Sequence, residues 1–247
     1  MSDFTDQLPA ENYLPPHGED WKFNQKVTDS FDAMLVNSIP SYMEMRRFTD
    51  MFMRRHVANT MFPHILDLGS SRGEVVDRHI KEGGRTRFEL VEVSHPMLDV
   101  LHQRYDPAPH VNIHDLDMRY RHAEFKDFAP TMVTCVLTTI FTPLSYRQAI
   151  LKSIHEALAP RGGTFIWVEK ILGEGAIEDE LLTTAYYKFK SDNGYTEEAI
   201  QRKKLALEFA QVPVTAEWNE NMLRKAGFSV VQQYWQALNF AGWIAKC

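Results

Sequence analysis

The 247 residues are 44% hydrophobic and 24% charged, with a formal net charge of −6, the composition of a soluble globular chain long enough to bury a sizeable core. The negative balance excludes a surface that is, as a whole, a nucleic-acid footprint. No run of eighteen apolar residues is available to span a membrane.

The first twenty residues, MSDFTDQLPAENYLPPHGED, are acidic and Pro-bearing, which is the wrong composition for a targeting peptide. They read as a mobile N-terminal tail, residues 1–20, ahead of one domain over residues 21–247, and a cytoplasmic chain is expected. Residues 21–60 predict helices placed before the first strand. They carry the basic cluster Arg46, Arg47, Arg54 and Arg55, which reads as a solvated helix face.

From there short β-rich runs alternate with amphipathic helical patterns, which predicts a mostly parallel sheet covered on both faces. The runs are HILDLG (64–69), FELVEV (88–93), VNIHDL (111–116), TMVTCVL (131–137) and GTFIWVEK (163–170). The helical patterns between them are EVVDRHIKEG, HPMLDVLHQRY and SYRQAILKSIHEALAP. In the third, Ser145 and Gln148 have capping-box spacing, and Pro160 with Gly162 and Gly163 marks its end.

Residues 176–211 predict a helical insertion. Thr196 can cap its second half, with Glu197 and Glu198 at the positive end of the helix dipole. The same stretch holds a second basic cluster, Arg202, Lys203 and Lys204. A helix, TAEWNENMLRKAGF, then leads to SVVQQYW and NFAGWIAK, which predict an antiparallel hairpin closing the sheet. Cys135, inside MVTCVL, and the terminal Cys247 lack metal-ligand spacing, so a buried thiol and an exposed one are expected and no metal site.

The stretch HILDLGSSRGEVVDRHI carries the functional question. A strand that ends in Asp67-Leu68-Gly69 and turns through Ser70, Ser71 and Gly73 into a helix presents free N–H groups at one point. Gly69 and Gly73 lack the Cβ atoms that would obstruct a ligand approaching the backbone. Alone, the turn is compatible with a plain strand–helix corner, and its spacing is not that of the dinucleotide fingerprint. Glu92 ends the next predicted strand, 23 residues past Gly69, where a carboxylate can accept from both ribose hydroxyls. Asp117 and Met118 follow the third, where a carboxylate can take an exocyclic amine and a thioether can pack on a purine. All three features fall at the carboxyl ends of strands, where open α/β sheets bind ligands. Together they point to an adenosine-bearing ligand, and the absence of a Walker-type Lys-Ser/Thr argues against a nucleoside triphosphate.

DLGSSRG, VEVS, LDMRY and the hairpin after AGF resemble the corresponding motifs of class I S-adenosylmethionine-dependent methyltransferases. That resemblance implies a Rossmann-like seven-stranded sheet with an antiparallel final strand. Three further stretches, WKFNQKVTDSFDAMLVNSIPSY, YYKFKSDNGYTEEAIQRKKLALE and LRKAGFSVVQQYWQALNFAGWIA, resemble the carboxy-S-adenosylmethionine synthases that serve wobble-uridine modification in bacterial tRNA. The likeness runs from about Trp21 to Ala245. It implies S-adenosyl-L-methionine, or its carboxylated form, as cofactor, and a homodimer with no direct nucleic-acid contact and no membrane. It also implies ligand roles for Tyr42 near the sulfonium, the turn Asp67, Gly69, Ser70, Ser71 and Gly73, then Glu92 with Val93 and Asp117 with Met118. Glu92 stands where the family has aspartate, which keeps the carboxylate.

Two departures are larger. The family's asparagine at the end of the fourth strand is Val136 here, and its carboxylate-binding arginine, given across a dimer interface, aligns with Lys204. Arg presents two fixed donors where Lys presents a point charge, and Arg202 is an alternative cation. Three functions follow: methyl transfer to a small molecule, prephenate-dependent carboxylation of S-adenosylmethionine, or a non-catalytic cofactor-binding subunit. Because both departures belong to the specialised reaction, the sequence favours the first. Tyr42 and Lys204 are its catalytic candidates. As a base, Tyr42 and Glu169 qualify by position, against plain packing for Tyr42 and a solvated strand end for Glu169.

Overall fold

The computed structural model describes residue 14 and residues 19–247. The β-rich runs form strands where the sequence places them: β1 His64–Leu68, β2 Arg87–Glu92, β3 Val111–Asp115, β4 Met132–Val136 and β5 Thr164–Leu172. β1 pairs in parallel with β2 and β4, β2 with β3 and β4 with β5. A two-residue strand that the sequence did not signal, β6 (Val214–Thr215), extends the end of β5.

The expected hairpin is β7 (Val230–Ala237) and β8 (Phe240–Lys246). β8 lies antiparallel between β5 and β7, giving the path β3-β2-β1-β4-β5-β8-β7. Continuous apolar runs suit strands that are covered on both faces, and Trp167 of β5 sits opposite Trp243 of β8 with ring centroids 5.6 Å apart. This is the expected α/β class: a mostly parallel sheet with an antiparallel final strand, here with β6 added at its rim.

Helices cover both faces. On one side α7 (Leu144–Leu158) and α10 (Ala216–Ala226) pack on the sheet through Ile150, Leu151, Ile154 and Leu223. On the other, α3 (Tyr42–Asn59), α4 (Asp77–Glu82) and α5 (His95–Tyr105) bury Met53, Ile80, Leu101 and Tyr105. Thr215 caps α10 by accepting from Trp218 N, and Gly227 ends it at φ +114°, the left-handed cap that glycine adopts without strain. The capping box expected of Ser145 and Gln148 is not formed. α7 starts at Leu144, two residues ahead of a helix capped by Ser145, and the Gln148 amide instead donates to Met222 O of α10 at 3.2 Å.

The front helices α1 (Gln25–Asp29) and α2 (Phe31–Ser38) and the insertion α8 (Ala176–Asp192) and α9 (Glu197–Leu207) meet over the carboxyl ends of the strands. Thr196 caps α9 as expected, accepting from Ala199 N at 3.1 Å. Their shared cluster joins Trp21, Val27, Phe31, Tyr195 and Ile200. The tail expected over residues 1–20 lies mostly outside the described residues. Of its described members, Leu14 is buried in that same cluster, and its carbonyl accepts from Lys26 Nζ. Cys135 is buried and Cys247 half-buried. Among the described residues no helix is long and apolar enough to cross a membrane.

Candidate functional site

After Leu68 the chain enters a turn in which Gly69, Ser71 and Gly73 all have positive φ, at +70°, +51° and +88°. The N–H groups of Gly69 and Ser70 both donate to Val91 O at 2.9 Å, which ties the turn to the end of β2. The two glycines answer to the protein as well as to space. A Cβ on Gly69 would stand 2.2 Å from Thr138 Cγ2, and one on Gly73 would stand 2.6 Å from the Tyr105 ring. Gly73 does not line the cavity described below, so its role is to admit Tyr105 behind the turn.

At the end of β2 the buried Glu92 carboxylate accepts three backbone bonds. Ser71 N donates to Oε2 at 2.8 Å, and Val93 N and Ser94 N donate to Oε1 at 2.8 and 2.9 Å. Those bonds fix both oxygens at the mouth of the turn and leave further lone-pair positions. Beyond β3, Asp117 caps α6 (Met118–Arg121), accepting from Arg119 N at 2.9 Å. Its side chain also takes Arg119 Nε at 3.0 Å, and these hydrogen bonds hold the Asp117 carboxyl below its ordinary pKa. An exocyclic amine at Asp117 therefore shares this carboxylate with Arg119.

These groups open on one cavity of about 760 Å³. Gly69, Ser70, Ser71, Glu92 and Val93 line it from the first two strand ends, and Asp117, Met118 and Val136 from the next two. Tyr42 closes the far side at the start of α3. The expected set is thus largely brought together, with exceptions that have physical reasons. Asp67 lies below the turn and outside the cavity wall, fully buried, its Oδ1 accepting from Thr134 Oγ1 at 2.6 Å. Burial raises its carboxyl to about 6. Lys204 is on the exposed side of α9, and its neighbour Lys203 is the lysine of that helix that is buried and lines the cavity. Glu169 is not a solvated strand end. It is buried, accepts from Thr139 Oγ1 at 2.6 Å and Trp167 Nε1 at 3.0 Å, and is absent from the cavity wall.

Arg46 corrects the reading of the first basic cluster as a solvated face. It lines the cavity, its Nη1 donates to Tyr42 Oη at 3.0 Å, and its Nη2 donates to Glu74 O. Burial pushes the Tyr42 hydroxyl up while Arg46 pulls it down. Glu74, also in the wall, is raised to about 7 by burial and by Asp32, against the pull of Arg72 and Arg46. Arg72 in turn reaches Asp32 at 3.6 Å and donates to Thr28 O at 3.2 Å. The signal for Arg46 was in the sequence: it is four residues after Tyr42, hence on the same helix face.

Comparison with known proteins places this geometry. Residues 65–162 match the model of a methyltransferase domain. The carboxy-S-adenosyl-L-methionine synthase of Methylococcus capsulatus is 31% identical over 232 residues, covering 92% of this chain and 93% of that protein. The chain belongs to the carboxy-S-adenosyl-L-methionine synthase family. The enzyme of that name from Histophilus somni is 30% identical over 237 residues, with 92% and 93% covered. Carboxy-S-adenosyl-L-methionine synthases therefore span this chain almost end to end, including the front helices and the α8–α9 insertion. The fold extends further. The magnesium protoporphyrin IX methyltransferase of Synechocystis, solved with bound SAH, has a TM-score of 0.59 at 12% identity and covers 91% of this chain and 95% of its own.

Proposed function

We propose that this chain binds S-adenosyl-L-methionine in the cavity, adenosine toward Glu92, Asp117 and Met118 and sulfonium toward Tyr42, and replaces one hydrogen of its methyl group, lost as a proton, with a carboxyl group released by prephenate. The observation that carries the reading is the unbroken cavity from the glycine turn and Glu92 to the Tyr42–Arg46 pair. Its volume of about 760 Å³ fits a nucleoside–amino-acid conjugate with room for a second small molecule. When bound, the cofactor supplies an activated methyl group on a cationic sulfur. The protein's part is to hold the reactants in line, since proximity and orientation can supply much of the acceleration. Relatedness over nearly the whole chain supports the carboxylating reaction over plain methyl transfer. Val136, where the family resemblance calls for asparagine, is what favours the second reading, methyl transfer to a small acceptor.

A homodimer belongs to this proposal. Ile177 and Leu181 on α8 and Leu205 on α9 are 71%, 65% and 68% exposed, apolar side chains that a second copy would cover. Lys204 lies on α9 beside Leu205 and faces outward, so in a dimer it is the cation available to the neighbouring cavity.

The experiment is calorimetric titration of S-adenosyl-L-methionine into the wild type and Glu92→Ala. Loss of the ribose acceptor should weaken binding by about tenfold or more, a hydrogen bond to a charged group contributing roughly 1.5–3 kcal/mol. Equal affinities would remove Glu92 from the site.

A further inference from the structure

Between β4 and α7 the chain passes through residues 137–143, and six of these seven line the cavity. The exception, Thr139, is fully buried and turned into the core, where its Oγ1 donates to Glu169 Oε1 at 2.6 Å and accepts from Trp167 Nε1 at 2.9 Å. A second buried group grips the far end of the loop. Arg147 of α7, 1% exposed, donates from Nε to Thr142 O at 2.9 Å and from Nη2 to Ile140 O at 3.1 Å. The loop in turn reaches each part of the cavity's enclosure. Thr138 packs on Gly69 of the glycine turn, closely enough to exclude a Cβ there. The Phe141 ring meets Phe23 of the front segment at 4.9 Å, and Ile140 O also accepts from Val212 N, beyond α9, at 3.0 Å.

This support is built against local cost. A cation in the first turn of a helix meets the positive end of its dipole, and a buried charge is costly unless it is paired and hydrogen-bonded. Burial lowers the Arg147 guanidinium, and Glu169, buried beneath the same loop, raises it. Arg147 in return pulls Glu169 down against its own burial. At the entry to the loop Leu137 is held at φ +56°, a left-handed conformation uncommon for such a side chain, with its N–H donating to Val168 O at 2.7 Å. Well-packed apolar side chains at 139 and 147 would serve the core alone as well or better. Backbone strain and buried charge gathered under one cavity wall mark a conformation fixed for binding.

We infer that Arg147 and Thr139 are positioning residues, which lock residues 137–143 in the one conformation that joins the glycine turn, the front segment and the chain beyond α9 around a bound ligand. Neither lines the cavity, so each acts through the loop. Phe23 is held from a second direction, Ser94 Oγ at the start of α5 donating to its carbonyl at 2.7 Å. An enclosure of this kind must open to let a nucleoside pass, so the firmness of the loop sets how long the ligand stays. That the ligand is S-adenosyl-L-methionine rests on the function proposed above.

The test is the release of radiolabelled S-adenosyl-L-methionine from the full chain under a chase of unlabelled cofactor, measured beside its association rate. Arg147→Lys keeps the charge but loses the planar fork that holds two carbonyls. Thr139→Val keeps the shape and removes the hydroxyl, while Trp167 Nε1 retains Glu169 Oε1 at 3.0 Å. Each should release the cofactor about tenfold faster, with association within about twofold of the wild type. Thr139→Ser, which restores the hydroxyl, should release it at close to the wild-type rate. General loss of structure would instead lower the binding-competent fraction and slow association. Should Arg147→Lys fail to fold, Thr139→Val decides. Wild-type release from either folded variant, release from Thr139→Ser as fast as from Thr139→Val, or effects confined to association would overturn the inference. A wild type that does not hold S-adenosyl-L-methionine would sink this inference and the proposed function together. Faster release in the variants of a protein that forms no carboxylated product would uphold the inference and sink the carboxylating reaction.

Discussion

At Glu169 burial and hydrogen bonding oppose each other, and burial wins. Its carboxyl is raised to about 7 although Thr139 and Trp167 donate to it. An unfolded-state glutamate titrates near about 4.3, so between these values the folded chain holds a proton that the unfolded chain has lost. The stabilising contribution is therefore complete below about pH 4 and lost as pH rises through about 7. Glu169→Gln should match the wild type in thermal unfolding at pH 5 and exceed it at pH 8, by up to about 3 kcal/mol. Asp67 and Glu74, raised to about 6 and about 7 by burial, keep part of the slope in the variant. A Glu169→Gln variant whose stability relative to the wild type is the same at pH 5 and pH 8 would contradict this. At this scale the sequence made the strand-end residues legible, because Glu92, Asp117 and Val136 follow from where strands stop. It did not separate Lys203 from Lys204, since adjacent helix residues point about 100° apart and only packing decides which one faces inward.

The strands show what pairs can do that patterns cannot reveal. Glu89 of β2 sits between His64 of β1 and His114 of β3, accepting at 2.8 and 2.6 Å, with Asn112 at 3.1 Å. Burial pushes its carboxyl up, but the bonds from His114, His64 and Asn112 outweigh it and hold it at about 2. Its contribution is thus present above about pH 4 and lost as pH falls through about 2. Glu89→Gln should cost about 2 kcal/mol in urea unfolding at pH 7, and no difference there would show that the cluster does not clamp the three strands. β7 carries the other element-scale surprise. It slips register between Gln233 and Trp235, and Tyr234 there packs on Phe52 at 5.0 Å and hydrogen-bonds Thr49 of α3. Gly242 of β8 lies against that ring, where a Cβ would come within 2.8 Å. Alternation predicted both strands but carries no signal for the extra residue of a bulge.

For the whole molecule, the order of elements was readable because each strand and helix has its own period and its own stops. What the sequence could not show is that the front helices and the α8–α9 insertion close over one cavity and bring Lys203 to it. The same insertion leaves Ile177, Leu181 and Leu205 exposed, and the wild type is expected to sediment as a dimer. Ile177→Glu with Leu205→Glu should give a folded monomer with reduced turnover; a monomeric wild type would refute the shared interface. The most direct measurement is mass spectrometry of the nucleoside products after the full chain is incubated with S-adenosyl-L-methionine and prephenate. S-adenosyl-L-methionine heavier by the elements of carbon dioxide, formed only when prephenate is present, is the result predicted. Unchanged S-adenosyl-L-methionine, or its demethylated product alone, would contradict the carboxylating reaction.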